Sequence, residues 1–336
     1  MLKAEVARRH PDWKPAYMRP QLVTWKCEEE VDVRLEWASP FARVAGISFG
    51  LHDGPESMAP QAEAFAETPV HLHVYPRVVP EDGFSKEEWN ALDARRANLI
   101  AALAAQGWRF HPSMRAVEEG DLVLDVILCG ANAADDGGKL LFGAHRHAWD
   151  RHPAPGSVPR MVVPAEAPSR AYLKMEQALA WVGLDGERSL AGRTALELGC
   201  APGGASYAML RHGARVMGVD TAPVDEVVRE FKVEGKRRFR QLEIPVGALA
   251  YEELPNIDLL ASDMNLAPAV ALRYIEPLQQ RLHAKLLILT LKLNDAEVER
   301  GIPALLGRIK GFAPGPLRAV QLPGNRREFC VMAGGL

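Results

Sequence analysis

The residues best suited to chemistry in this 336-residue chain are a glycine-rich turn and four charged side chains spread over its second half. The turn, Gly199-Cys200-Ala201-Pro202-Gly203-Gly204, follows the apolar run 194–198 and precedes a helical run, 205–212. Glycines at such a turn accept positive φ and let backbone amides come close to a ligand. A second strand, 215–219, ends at Asp220, where a carboxylate about twenty residues past the loop can take the two hydroxyls of a ribose. The four charged residues are Lys174, Asp263, Lys292 and Glu328. They fall at the start of a helix, the ends of two strands and the start of the last strand. Lys292 closes the apolar run LLILTLKL, where a charge needs a partner. Lys174 alone would read as a surface lysine, and the turn alone would fit any strand-to-helix junction that needs glycine.

The elements around these residues alternate. After the turn, 257–262 reads as a buried strand ending at Asp263, 269–283 as a helix, 285–293 as a strand and 296–310 as a helix. An acidic residue at the carboxyl end of a parallel strand is where doubly wound sheets place their chemistry. Segments 317–322 and 328–333 around a PGNRR turn read as an antiparallel hairpin. Ahead of the turn, Ser169 is a plausible cap for a helix over 170–181, with Tyr172, Met175 and Leu179 on one side. The expectation is an α/β, Rossmann-like domain over 169–336.

A Pro-rich segment, 153–168, with five prolines in sixteen residues, marks a boundary. Before it, 1–152 predicts an α+β domain: strands at 22–25, 31–37 and 71–75, a helix over 87–106 closed by Gly107, and a buried strand at 122–129. Residues 139–142, with Gly143, read as that strand's partner across the turn ANAADDGG. His145, Arg146, His147, Arg151 and His152 cluster near the boundary. Metal binding is the weaker reading for them, and a solvated basic edge able to touch phosphate the stronger.

Hydrophobic residues make up 48% of the chain and charged residues 25%, as in a soluble globular protein. Four scattered cysteines without paired spacing exclude a zinc motif and a disulfide framework, and no metal is expected. No apolar run is long enough to span a membrane and the N-terminus lacks a signal-peptide core, so a cytoplasmic location is expected. The net charge of −3 leaves room only for a local nucleic-acid patch. Segment 229–240, with six basic residues against two acidic, reads equally as a phosphate-contact patch or a solvated loop.

The stretches PSRAYLKMEQA, ELGCAPGGAS, SDMNLAP, LILTLKL and NRREFCVMA resemble the successive motifs of FtsJ-like RNA ribose 2′-O-methyltransferases. Within that family the chain is similar to the RlmM branch, which methylates a cytidine ribose of bacterial 23S ribosomal RNA. The resemblance implies S-adenosyl-L-methionine (SAM) as cofactor, RNA as partner and a THUMP-like RNA-binding module in the first domain. It covers residues 168–335 well; the first half matches mainly by position and size. It implies a catalytic tetrad of Lys174, Asp263, Lys292 and Glu328. The cofactor would be held by Glu197, Gly199, Cys200, Ala201, Pro202, Gly203, Gly204, Asp220 and Asp263, with Glu243 reaching the adenine where the family usually has Asp. Ala205 stands where the branch usually shows tryptophan.

By the same resemblance Lys292 is the general base. A ribose hydroxyl is a very weak acid, so a base must take its proton as the oxygen attacks the sulfonium methyl. A lysine does so only when neutral, which burial and the nearby Lys174 cation favour; the expectation is a pKa below that of free lysine. Two other readings are a methyltransferase acting on another RNA or a small molecule, and a catalytically silent RNA-binding assembly factor on the same fold. Methylation of a small molecule or protein on this fold has no need of two lysines; a silent assembly factor has no use for an unfavourable lysine pair.

Overall fold

The computed structural model describes residues 1–33, 39–112, 115–130, 138–294 and 296–336. The chain divides into two units, Met1–Val162 and Val163–Leu336. The first begins with helix α1 (Leu2–Arg9) and an antiparallel pair, β1 (Lys14–Arg19) and β2 (Leu22–Lys26). Then come β3 (Ile47–His52), α2 (Ala59–Ala64), β4 (His71–Pro76), α3 (Lys86–Ala105), β5 (Leu122–Leu128) and β6 (Leu140–Arg146). The last four strands form one sheet in the order β3-β6-β5-β4. β5 and β6 pair antiparallel as expected, and β4 lies parallel to β5. A parallel pair needs a crossover, which α3 supplies in sequence. The expected strand 31–37 and turn 131–138 lie largely outside the described residues.

Helix α3 starts where its cap dictates. Ser85 Oγ accepts the Glu88 amide at 3.1 Å, while Glu88 Oε2 accepts the Ser85 amide at 2.8 Å. This capping box satisfies two amides that the first turn leaves unpaired. Leu92, Leu99 and Leu103 turn inward with Leu72, Leu124 and Phe142 of the sheet.

Two expectations for this unit change. Residues 145–152 are not a solvated edge: His145 and His147 are each 7% exposed, His145 Nδ1 meets Asp125, and the Arg151 guanidinium pairs with Asp150. Burial, with His145 adding repulsion, pulls the His147 ring down to about 4, so it is neutral at ordinary pH. The Pro-rich segment is not loose throughout either. Val158 belongs to the first unit's core, and Gly156 and Ser157 are buried. The division between the units, after Val162, falls inside this segment.

The second unit opens with α4 (Ala171–Trp181). Ser169 is not its N-cap; Arg170 holds that position, and the serine hydroxyl accepts the Ala171 amide at 3.3 Å. α4 buries Tyr172, Leu173, Met175, Gln177 and Ala178 to Trp181, far more than one stripe. There follow β7 (Thr194–Leu198), α5 (Gly204–Arg211), β8 (Arg215–Val219), α6 (Glu226–Arg229), β9 (Lys232–Val233), β10 (Lys236–Arg237) and β11 (Phe239–Leu242). The chain closes with β12 (Leu259–Ser262), α7 (Pro268–Leu282), β13 (Leu286–Lys292), α8 (Ala296–Lys310), β14 (Leu317–Val320) and β15 (Glu328–Gly334). Seven strands form one sheet, β11-β8-β7-β12-β13-β15-β14. β15 runs antiparallel to its neighbours β13 and β14, and the ladders from β11 to β13 are parallel. The inner strands are nearly all apolar because they are covered on both faces. Strand order reverses between β7 and β12, and the crevice outside their carboxyl ends is where such sheets bind ligands.

Replacing Ser85 by Ala is expected to cost about 1 kcal/mol of stability, the usual value of an N-cap. Urea unfolding followed by far-UV circular dichroism measures it; an unchanged midpoint would show that α3 does not depend on this cap.

Candidate active site

Four elements bring the charged residues together. Lys174 sits on α4, Asp263 directly follows β12, Lys292 ends β13 and Glu328 begins β15. The sheet fixes three of them: the Asp263 amide donates to Leu198 O of β7 at 3.1 Å, and Lys292 is the cross-strand partner of Glu328. Lys174 Nζ donates to Asp263 Oδ2 and, at 2.8 Å, to Glu328 Oε1. Lys292 Nζ donates to Asp263 Oδ1 at 2.8 Å and to Glu328 Oε2 at 2.6 Å. The result is a closed ring in which every charge has two opposite partners. The side chains are 11–18% exposed, so the ring is largely dry.

The electrostatics differ from the expectation in one respect. Burial pulls the Lys292 ammonium down, but the charges and hydrogen bonds of Asp263 and Glu328 outweigh it and hold the group above the ordinary lysine value. Lys292 is therefore held as an ammonium, not a ready base. Burial raises the Glu328 carboxyl, yet its bonds to Lys174 and Lys292 bring it below the ordinary range.

The turn residues play several parts. Gly199 has φ +79°, and a Cβ on it would stand 3.0 Å from Met264 Cα, beside Asp263. Here glycine serves both the backbone conformation and the narrowness of the crevice. Gly203 and Gly204 instead make room for the protein itself, against Val228 Cγ2 in one case and Ser169 Oγ and the Tyr172 amide in the other. The Ala201-Pro202 peptide is cis. The Ala201 amide donates to Asp220 Oδ2 at 3.0 Å and the Ala222 amide to Oδ1 at 2.9 Å, so Asp220 pins the turn to the end of β8. Glu243 is exposed just past β11, whose Leu242 pairs with Val219, placing it at the same sheet end as Asp220.

Two expected contacts face inward. The Cys200 thiol is packed against Gly218 of β8, where a Cβ would lie 2.6 Å from its sulfur, and burial raises its pKa strongly. Glu197 is 2% exposed and accepts the Ser206 hydroxyl, tying β7 to α5. Burial lifts its carboxyl to about 8, against the Ser206 bond and with Asp263 and Asp220 adding repulsion. A narrow cavity lined by Ala171, Lys174, Glu197, Ala205, Asp263 and Thr290 joins it to the ring.

Sequence reasoning missed Gln177 and Asn325. Asn325, 7% exposed, donates to Glu328 Oε1 at 3.3 Å, and Gln177 Oε1 accepts the Gly324 amide at 2.9 Å. A polar residue one turn after Lys174 on an otherwise buried helix was the available signal for Gln177.

Elsewhere, the basic segment 229–240 forms part of α6 and the β9–β10 hairpin, where Glu230 receives Arg237 at 2.8 Å and lies within 4 Å of Lys232 and Arg229. In the first unit, His71, His111 and Asp121 each offer a ligand atom within 4.8 Å of the others. Arg115 already donates to both Asp121 oxygens, at 2.8 and 3.0 Å, and stands 2.8 Å from His71 Nε2. A guanidinium in that position opposes a second cation. Among the described residues no helix is long and apolar enough to cross a membrane.

Removing one carboxylate from the ring leaves two lysines on the other. Glu328→Gln is expected to lose about 2–3 kcal/mol at neutral pH, below the full value for breaking a buried pair because the ring is partly solvated. Since the folded-state value of Glu328 is depressed, its contribution is present above the ordinary carboxylate range and lost as pH falls through the depressed value. Urea titrations of wild type and variant should therefore converge in acid; a gap independent of pH contradicts the ring's electrostatics.

The sequence is similar to several known proteins. Residues 167–303 match the FtsJ-like methyltransferase family. The chain is 29% identical over 200 residues to the ribosomal RNA large subunit methyltransferase M of Halorhodospira halophila, covering 58% of this chain and 56% of that protein. It is 37% identical over 99 residues to the protein of the same name from Alkalilimnicola ehrlichii, covering 27% and 28%. The chain thus spans about half or less of the length of these relatives. Among solved structures, Aeropyrum pernix fibrillarin with natively bound S-adenosyl-L-methionine gives a TM-score of 0.36 at 17% identity over 66% of this chain and 85% of that one. The second unit of the chain thus has a Rossmann-like α/β sheet and, over residues 167–303, is similar to the FtsJ-like methyltransferase family.

Proposed function

We propose that this chain methylates a ribose 2′-hydroxyl of RNA, with SAM as the methyl donor and large-subunit ribosomal RNA as the substrate. The closed Lys174–Asp263–Lys292–Glu328 ring at the switch point of the sheet carries this reading. The names of the similar proteins support the choice of RNA.

The crevice suits such a donor. Gly199 leaves no side chain at the tightest approach, and Asp220, Glu243 and Asp263 set carboxylates at the strand ends, a negative rim for a cationic ligand with a ribose. When bound, the donor supplies an electrophilic sulfonium methyl. The work left to the protein is to hold the attacking hydroxyl and take its proton. Lys292 is the general base, and Lys174 the second cation that limits its proton affinity. At rest the two carboxylates win and the proton stays on Lys292. A cation held against Asp263 would weaken that hold, since a like charge nearby disfavours the ammonium form. Asp263 and Glu328 keep both amines in place while the proton moves.

For RNA, we assign the first unit, as a THUMP-like α+β module, together with the exposed cations of the β9–β10 hairpin. Lys236 carries none of the Glu230 pairing that engages Arg237.

The primary test is mapping ribose methylation in large-subunit ribosomal RNA from cells with and without the gene; an identical pattern refutes the assignment. Lys292→Ala is expected to lose roughly 10²–10⁴-fold in single-turnover rate while still binding SAM and RNA. Lys292→Arg should fail as well, because guanidinium does not give up its proton. Wild-type rate should climb with pH as Lys292 becomes neutral. Near-normal turnover in the Arg variant rules out Lys292 as the base.

The hairpin makes a separate prediction. Replacing Lys236, Arg237 and Arg238 together by Ala should lower RNA affinity and flatten the slope of log affinity against log salt by about one unit per lost phosphate contact. An unchanged slope shows that the hairpin is only a solvated face.

A further inference from the structure

The β14–β15 turn is built against the helix that carries Lys174. The Gly324 amide donates to Gln177 Oε1 at 2.9 Å, and the Gly324 carbonyl accepts Arg170 Nη2 at 3.0 Å. Arg170, Lys174 and Gln177 follow at the spacing that puts residues on one face of a helix. A Cβ at Gly324 would stand 3.1 Å from Gln177 Oε1 and 3.3 Å from Lys174 Cγ, so the turn touches the lysine stem directly. The next residue, Asn325, is buried and has both ends of its side chain occupied. Its Oδ1 accepts the Leu322 amide at 2.9 Å, and its Nδ2 donates to Glu328 Oε1 at 3.3 Å. The orientation of the amide is set by chemistry: Leu322 offers only an N–H there, so the oxygen must face it and the NH2 must face the carboxylate.

We propose that Asn325 is a positioning residue of the ring, its side-chain amide holding the plane of the Glu328 carboxylate so that one oxygen meets Lys174 and the other Lys292. Glu328 Oε1 takes Lys174 and Asn325, leaving Oε2 to Lys292 alone. Without the amide, the carboxylate loses a donor that favours its ionised form and is free to rotate between the two lysines. The catalytic consequence rests on the methyl-transfer reading above; the positioning itself does not.

The groups facing Glu328 are Lys174 from α4, Lys292 from β13, Asn325 from the turn and Asp263 across the ring, with the buried Cys330 further along β15. The test follows the carboxyl carbon of Glu328 and the side-chain nitrogens of Lys174 and Lys292 by NMR through a pH titration of the ligand-free chain. In Asn325→Ala the midpoint assigned to Glu328 should rise by about half a unit to one unit, the worth of one lost hydrogen bond to the charged form. Asn325→Asp keeps an acceptor for the Leu322 amide but sets a carboxylate where the donor was, so its midpoint should rise further. It also carries the measurement if the Ala variant does not fold. A Glu328 midpoint equal to wild type in the folded variants overturns the proposal, since a residue that only braces the turn would not move it. If Lys292→Ala transfers methyl normally, the functional reading fails while the NMR result for Asn325 stands or falls by itself.

Discussion

The ring of two ammonium groups and two carboxylates is the constraint that the second unit is built to satisfy. Four charges taken largely out of water cost more than their attraction returns unless the geometry is good and the remaining polar atoms are satisfied. Here each charge meets two opposite ones, and Asn325 adds a donor on one corner. Holding that geometry requires α4, the loop after β12, the end of β13 and the start of β15 to converge. Parallel pairing of β12 with β7 and β13, and antiparallel pairing of β13 with β15, fix three corners by backbone ladders. The fourth corner has no ladder to hold it. Lys174 depends on helix packing, and the contacts of Arg170 and Gln177 with Gly324 brace its helix against the turn that leads into β15.

Which parts of this could be read from the sequence follows from where information sits along the chain. Strand ends are legible because an apolar run stops at a charge: Lys292 after LLILTL and Asp263 after LLAS marked themselves in this way. The helix over 87–106 was legible from its helical run and the glycine that closes it, Gly107. Roles that depend on distant partners were not. Gly203 and Gly204 looked alike beside Gly199, yet the space a Cβ would need is taken by Val228 in one case and by Ser169 and Tyr172 in the other. The histidines at 145 and 147 looked like a polar edge because nothing local shows that Asp125 on β5 is waiting inside. The proton affinity of Lys292 was misjudged for the same reason. The sequence shows an apolar strand, which favours a neutral lysine, and hides the two carboxylates that reverse the sign. Asn325 was read only as part of a turn, since its partner stands three residues on and its neighbour's partner 147 residues back.

The sign of that proton affinity has a consequence for how such a site can work. A base left neutral in the resting protein would be open to any proton donor that reached the crevice. A lysine locked as ammonium by two carboxylates is inert until another positive charge competes for them. The crevice supplies a place for that competition, because Asp263 belongs both to the ring and to the carboxylates at the strand ends, next to Gly199 and Met264. Glu197 is buried behind it, and burial pushes its carboxyl up to about 8. The ring that joins the four elements is thus also what holds the proton on Lys292. The two functions are not separable by mutation, since any change that frees Lys292 from its carboxylates also opens the ring.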